Sequence, residues 1–176
     1  MTPEEIQYLA EVAKTDDDAF AKLYDYFLPQ IYGYVFKRVG DVDVAEDLTS
    51  LIFIKVVEHL PRFTGEYFKS WLYRIATNTI IDYYRTYKKT SSIEDGVEVR
   101  SESATPHEQV QEAELRSRVH SALKNIPTKY SSVLHLKFFA DLSNEEIATS
   151  LRIKPNNAGV LIYRALKAFE KYYTPI

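Results

Sequence analysis

The chain has 176 residues, 45% of them apolar and 27% charged, which fits one ordinary folded domain or two small ones. It contains no cysteine, which excludes disulfides, thiol nucleophiles and cysteine-based zinc sites and fits a reducing, cytoplasmic setting. The net charge of −3 hides four blocks: 5 basic and 12 acidic side chains over 1–61 (−7), 6 and 2 over 62–90 (+4), 1 and 7 over 91–114 (−6), and 10 and 4 over 115–176 (+6). Two basic blocks separated by an acidic one suit a protein with two polyanion-facing surfaces.

The opening residues, MTPEEIQYLAEVAK, lack the basic start and apolar core of a secretion signal, and no run reaches the ~20 apolar residues of a spanning helix, so no membrane association is expected. Residues 2–14 predict a short amphipathic helix with Ile6, Leu9, Ala10 and Ala13 on one side. Asp16 to Asp18 supply a cap and favourable charge for a second helix. That helix runs to about Val39, with Phe20, Leu23, Tyr24, Phe27, Ile31, Tyr34, Val35 and Val39 inward, and ends at Gly40. Pro29 lies inside the pattern and is expected to kink it. Asp41 or Asp43 opens a third helix that stops before Pro61.

After the turn RFTGE, a fourth helix from about Glu66 to Lys88 interleaves Tyr67, Phe68, Trp71, Tyr73, Tyr83, Tyr84 and Tyr87 with Arg62, Lys69, Arg74, Arg85, Lys88 and Lys89. A single-stranded nucleic acid surface needs this composition: cations track the backbone while flat rings stack on unpaired bases. The competing reading puts Phe68, Trp71, Leu72, Ile75 and Ile80 in the core and leaves the basic end merely solvated. From Thr90 the apolar rhythm collapses into a polar, acidic, serine-rich stretch, read as a linker of about 20 residues. Helical periodicity resumes near Val110 and persists almost to the end. The expected architecture is all-α: two small helical domains, 1–89 and 113–176, joined by an acidic linker over 90–112.

The C-terminal segment carries the strongest local signal. Ser143 and Glu146 form a capping-box pattern, and Ile147, Ala148 and Leu151 point inward. A tight connection, Arg152-Ile153-Lys154, leads to Pro155 in the first turn of a second helix. There Ala158, Ile162, Ala165 and Phe169 face the core, leaving Asn156, Asn157, Val160, Tyr163, Arg164 and Lys167 on other faces. This is a helix-turn-helix pattern, whose second helix can enter the major groove, or an ordinary helical hairpin. Asn156 and Asn157 suit adenine edges or a plain helix start equally well. The four histidines, His59, His107, His120 and His135, show no metal spacing, so no metal, cofactor or catalytic site is expected and the chain is read as no enzyme.

At this point the residues resemble the extracytoplasmic-function sigma factors, which keep only regions 2 and 4 of the primary-sigma superfamily. VAEDLTSLIFIKVV is similar to region 2.2. In RFTGEYFKSWLYRIATNTIIDYYR, Phe63, Gly65, Phe68, Trp71 through Ala76, Asn78 and Asp82 match the region 2.3–2.4 signature. ALKNIPTKYSSVLHLKFFADLSNEEIATSL resembles region 4. Both halves match in order, over about 17–89 and 115–171.

The resemblance implies a factor that binds core RNA polymerase, directs it to promoter DNA and helps open the duplex, while all bond chemistry belongs to the polymerase. It implies that Asp47, Leu48, Phe53 and Ile54 meet the clamp helices of the largest subunit. It assigns Arg62, Lys69, Arg74, Asn78, Asp82, Tyr83, Arg85 and Lys88 to the −10 element, with Asn78 beside a flipped base on the melted single strand. It assigns Lys154, Asn156, Asn157, Tyr163, Arg164 and Lys167 to duplex DNA at −35. The acidic linker either mimics RNA in the polymerase channel or is a solvated spacer. Many members are held by an anti-sigma factor that buries both binding faces; no residue of this sequence demonstrates one. The sequence departs from the family at Ser50, often glutamine, at Gly159 and Leu161, where a basic pair is common, and in the shorter turn TGEYF. The alternative is a helix-turn-helix transcriptional regulator that binds duplex DNA without being a polymerase subunit.

Overall fold

A computed structural model describes residues 1–65, 67–90 and 106–173, with side chains described over 1–65, 67–87 and 114–173. Among the described residues there are eight α-helices and no strand. They are α1 (Pro3–Val12), α2 (Asp17–Val39), α3 (Val42–His59), α4 (Phe68–Thr90), α5 (Pro106–Asn125), α6 (Thr128–Phe138), α7 (Asn144–Leu151) and α8 (Pro155–Glu170), with a single 3-10 turn at Leu60–Arg62.

Local chemistry sets the boundaries. Thr2 and Glu5 close a reciprocal capping box at α1. The Asp16 carboxylate accepts from the amides of Asp18 and Ala19, and Asp41, rather than Asp43, caps α3 by accepting from Val44 N. Gly40 ends α2 in the left-handed conformation, φ 72°, which glycine adopts without steric cost. The helix continues through Pro29 unbroken.

Residues 1–90 form one helical half. Leu23, Phe27, Ile31 and Val35 of α2 are buried, as are Ile52 and Val56 of α3 and Leu72, Ala76 and Ile80 of α4. Tyr24 departs from the inward pattern. It lies at the edge of the stripe, is exposed, and packs its ring edgewise on Phe53 at 4.7 Å. The fourth helix starts at Phe68 rather than Glu66, because α1 reaches the preceding turn. Gln7 Nε2 donates to Gly65 O (2.8 Å), and Gln7 Oε1 accepts from Phe68 N (3.3 Å). Phe63 and Trp71 press together beneath that turn, with ring centroids 4.9 Å apart. A Cβ at Gly65 would lie 2.9 Å from Phe63 Cε2, so the close approach requires glycine.

The second half is α5–α8. Helix α5 begins at Pro106, before the apolar rhythm resumes at Val110, since proline at the first helical position is favourable whatever the periodicity. The expected acidic linker lies mostly at 91–105, outside the described residues. Ser143 and Glu146 form the reciprocal capping box of α7. Ile147, Ala148, Ala158, Leu161 and Ala165 hold α7 and α8 together from within.

The two halves meet along a seam where α4 packs on α7 and α2 reaches α6. Arg38, 7% exposed, donates through Nη1 to Tyr34 OH (3.3 Å) and through both terminal nitrogens to Ser132 Oγ (3.4 Å). Tyr34 OH is also 2.8 Å from Thr77 Oγ1, and its ring meets His135 edge-on. Lys69 Nζ donates to Asp141 O at 3.4 Å, and Lys37 Nζ lies 4.8 Å over the Phe139 ring. Buried His135 has its Nδ1 2.7 Å from Ser131 O, and burial together with the Arg38 charge lowers its pKa to about 3.

Candidate nucleic-acid interface

Two surfaces on different helices carry the sequence-predicted residues. The first is the outer side of α4 and the turn before it. Arg62, Asn78, Asp82 and Arg85 are exposed there, with Lys69, Arg74 and Tyr83 half-buried beside them. Lys88 lies outside the described side chains. Arg74, Asn78 and Arg85 recur at helical spacing, so one face presents cations around an amide. Asp82 is paired with Arg85 at 3.1 Å, both largely in water, which orders the guanidinium but adds little stability.

The aromatic residues of α4 divide sharply. Trp71, Phe68 and Tyr73 are core, and Tyr73 packs edgewise on Tyr34 at 5.1 Å. Tyr84 is structural too, since its hydroxyl donates to Arg38 O at 2.6 Å. Tyr83 and Tyr87 stack with centroids 5.8 Å apart on the solvent side. Partial burial, then the neighbouring Tyr87 and Asp41, raise the Tyr83 pKa, so its hydroxyl stays neutral and the ring is an uncharged platform. A solvent-facing ring pair can stack on an unpaired base, while the Arg74–Asn78–Arg85 face lies on the other side of the helix.

The second surface is α8. Lys154, Asn156, Asn157, Tyr163, Arg164 and Lys167 are all exposed, whereas Ala158, Leu161 and Ala165 are buried beneath them. The helix-turn-helix connection turns at Arg152, which caps α7 in the left-handed conformation, φ 53°. Lys154 starts α8 without a side-chain cap, Pro155 brings no N–H, and the Asn157 amide bonds Lys154 O at 2.8 Å, so the backbone closes part of the helix start itself. Lys167 bonds Glu170 at 2.8 Å, which raises the lysine pKa and keeps it cationic. Leu161, one of the positions where basic residues are common in the resembled family, faces the core. Lysine there would bury a charge.

The expected polymerase-facing residues of α3 do not lie together. Asp47 and Ile54 are exposed, Ile54 at 56%, but Leu48 and Phe53 fill the core and offer no surface to a partner. Sequence matching placed them at the interface because motif positions carry no inside or outside label. Leu51 and Val57 are the exposed apolar neighbours that sequence reasoning missed. Three-residue spacing from Ile54 was the signal for them, and the three form a stripe. Among the described residues no group of histidines and carboxylates can hold a metal ion, and no helix is long and apolar enough to cross a membrane.

Comparison with known proteins identifies the two halves. The family model for sigma-70 region 2 matches residues 23–90, and that for sigma-70 region 4 matches 116–169. The chain is similar to RNA polymerase sigma factor SigZ of Bacillus subtilis, 38% identical over 143 residues, 81% of this chain and 80% of that protein. It is also similar to the ECF RNA polymerase sigma factor SigW of the same organism, 30% identical over 174 residues and 93% of each chain. Its fold matches that of CnrH, solved with the cytosolic domain of CnrY, at a TM-score of 0.71 and 19% identity over 95% of this chain and 96% of that one. It also matches the sigma factor RpoE of Bartonella quintana, solved with the anti-sigma factor NepR, at 0.66 and 18% over 87% and 95%.

Proposed function

The chain belongs to the sigma-70 family as a sigma factor of the extracytoplasmic-function type, and we propose how its two surfaces divide the work of promoter-specific initiation by core RNA polymerase. Residues 1–89 act as region 2. The exposed stripe Leu51, Ile54 and Val57, with Asp47 beside it, docks on the clamp helices of the largest polymerase subunit, while Leu48 and Phe53 hold that stripe in register from beneath. The outer face of α4 then takes the −10 element. Arg62, Lys69, Arg74, Arg85 and Lys88 neutralise phosphates, the Tyr83–Tyr87 stack supports the exposed strand, and Asn78 bonds an extruded base. Unstacking a base costs a few kcal/mol, so a preformed face must offset it.

Residues 113–176 act as region 4. Helix α8 enters the major groove at −35, where Asn156, Asn157 and Tyr163 reach base edges and Lys154, Arg164 and Lys167 hold phosphates. The stretch between the halves, acidic in sequence, runs through the polymerase. The factor makes no bond itself and works in the cytoplasm, where the polymerase is. An anti-sigma factor is a fitting partner, because the seam already shows the two halves able to close on each other.

The observation that carries this reading is the separation of roles on α4, where the signature apolar residues are core, Arg74 and Asn78 face the cleft between the halves, and Tyr83 and Tyr87 stack on another, solvent-facing side. Its test is run-off transcription with purified core polymerase on a pooled promoter library. The expected result is chain-dependent transcripts from a defined set of promoters. Specific duplex binding by the chain alone, with no transcript from any fragment, would instead make it an ordinary regulator.

A further inference from the structure

The seam between the halves holds an open cleft of about 490 Å³. Arg74 of α4, Lys129 of α6 and Arg152 of the α7 cap line it, and no carboxylate does. None of these three cations has an ion-pair or hydrogen-bonding side-chain partner among the described residues. Burial and then the charge of Arg152 lower the Arg74 pKa, as expected of like charges facing one another across a gap.

Three further observations point the same way. Helix α6 begins in the cleft wall at Thr128 without a side-chain cap; the Tyr130 and Ser131 amides bond Pro127 O, which leaves those of Thr128 and Lys129 and the positive end of the dipole to meet an anion. Ser150 also lines the cleft, is 3% exposed, and its buried Oγ has no hydrogen-bond partner. Arg152 keeps a left-handed backbone, φ 53°, where glycine would be less strained, so a large cationic side chain stands there at a conformational cost.

We propose that this cleft binds a small molecule through a diphosphate group, which bridges Arg74 of the first half to Lys129 and Arg152 of the second. A diphosphate carries two to three negative charges near neutral pH, about the charge of the three cations, and its oxygens suit guanidinium and helix-amide donors together. The cleft volume leaves room for more than the diphosphate itself, and Asn78, Ile81 and Leu151 line the remainder. Occupancy ties the halves closed and covers Asn78. The resulting competition with promoter opening rests on the reading of α4 given above, whereas the binding does not.

The test uses the full chain without DNA or polymerase, so its failure leaves the transcription reading untouched and the reverse holds too. Isothermal titration with inorganic pyrophosphate at constant ionic strength is expected to give saturable one-to-one binding. Lys129→Gln and Arg152→Asn should each weaken it by about tenfold or more, the loss of one charge-assisted contact. Both side chains are exposed and asparagine tolerates the left-handed backbone, so circular dichroism should show unchanged folding. Parallel titration with ADP separates the sources. Tighter binding than pyrophosphate marks a nucleoside diphosphate, and equal binding marks the diphosphate alone; either supports the site. The proposal is overturned if neither probe saturates, if both variants bind like the parent chain, or if only a short single-stranded oligonucleotide depends on Arg152.

Discussion

Arg38 makes the seam testable with two substitutions of opposite sign. Its guanidinium is almost fully buried by the closed halves, yet its side-chain partners are only Tyr34 OH and Ser132 Oγ, at 3.3 and 3.4 Å. No carboxylate pairs with it among the described residues. A buried cation with long, neutral hydrogen bonds is poorly compensated, so closure works against a desolvation cost. Ser132→Ala removes the sole hydroxyl reaching Arg38 from the second half and costs the closed arrangement about 1–3 kcal/mol, the loss of a hydrogen bond to a charged group. That shifts the closed-to-open ratio by about five- to 150-fold. Arg38→Met keeps most of the volume, removes the charge, and leaves Tyr34 OH its Thr77 partner, so the closed form should gain about 1–4 kcal/mol. The chain has no cysteine, so cysteines placed at exposed Glu58 and Glu145 accept a dye pair without background labelling. Single-molecule energy transfer should show Ser132→Ala populating a longer distance and Arg38→Met depleting it. If both variants move the distribution the same way, or neither moves it, burial of the Arg38 charge does not govern closure.

The remaining substitutions separate core, docking and titrating groups. Trp71→Ala empties a site 9% exposed between Phe63 and Phe68 and should cost about 3–5 kcal/mol in urea unfolding of the first half; a loss under about 1 kcal/mol would show that the rings do not hold the turn. Ile54→Glu, on a 56% exposed side chain, should leave stability within about 0.5 kcal/mol yet abolish co-purification with core polymerase; retained co-purification removes the α3 stripe from the interface. His135 is buried neutral with its pKa lowered to about 3, so below the unfolded value near 6.5 only the unfolded chain takes up the proton, and stability falls as pH falls. Its contribution to the difference between about pH 6.5 and pH 5 is a loss of about 2 kcal/mol, which His135→Leu should remove from the acid side of a urea-unfolding pH series; an unchanged slope would assign the acid sensitivity elsewhere.

What could be read from the sequence was what acts over a few residues. The Asp16 cap, the Gly40 stop, the Ser143–Glu146 box and Pro155 at the start of α8 are each satisfied by neighbours within four positions, so local chemistry specifies them. The exposed set on α8 followed from helical spacing for the same reason. Where partners are distant in sequence, the pattern fell silent. Gln7 bonds Gly65 and Phe68 across the domain and moves the start of α4 by two residues. Arg38 reads as a basic residue at a helix end, yet Ser132 and Tyr34 bury it. Leu48 and Phe53 matched a motif of contact residues, but helix rotation set by Ala45, Ile52 and Val56 turns them inward. The cation-lined cavity exists only because α4 meets α6 and α7, and no single segment carries its signature.

The division of labour between the two surfaces is tested most directly by permanganate footprinting of thymines at −10 in complexes of core polymerase with the parent chain, Asn78→Ala, and the double variant Asn156→Ala/Asn157→Ala. Asn78 is exposed and has no hydrogen-bonding side-chain partner among the described residues, so its loss should spare folding. With Asn78→Ala, the −35 duplex should stay protected from nuclease while thymine reactivity falls by at least about tenfold, the loss of one good base contact. With the double variant, protection at −35 should weaken, while opening recovers on a pre-melted −10 template. Normal thymine reactivity in the Asn78→Ala complex would contradict the account, because strand opening would then not depend on the outer face of α4.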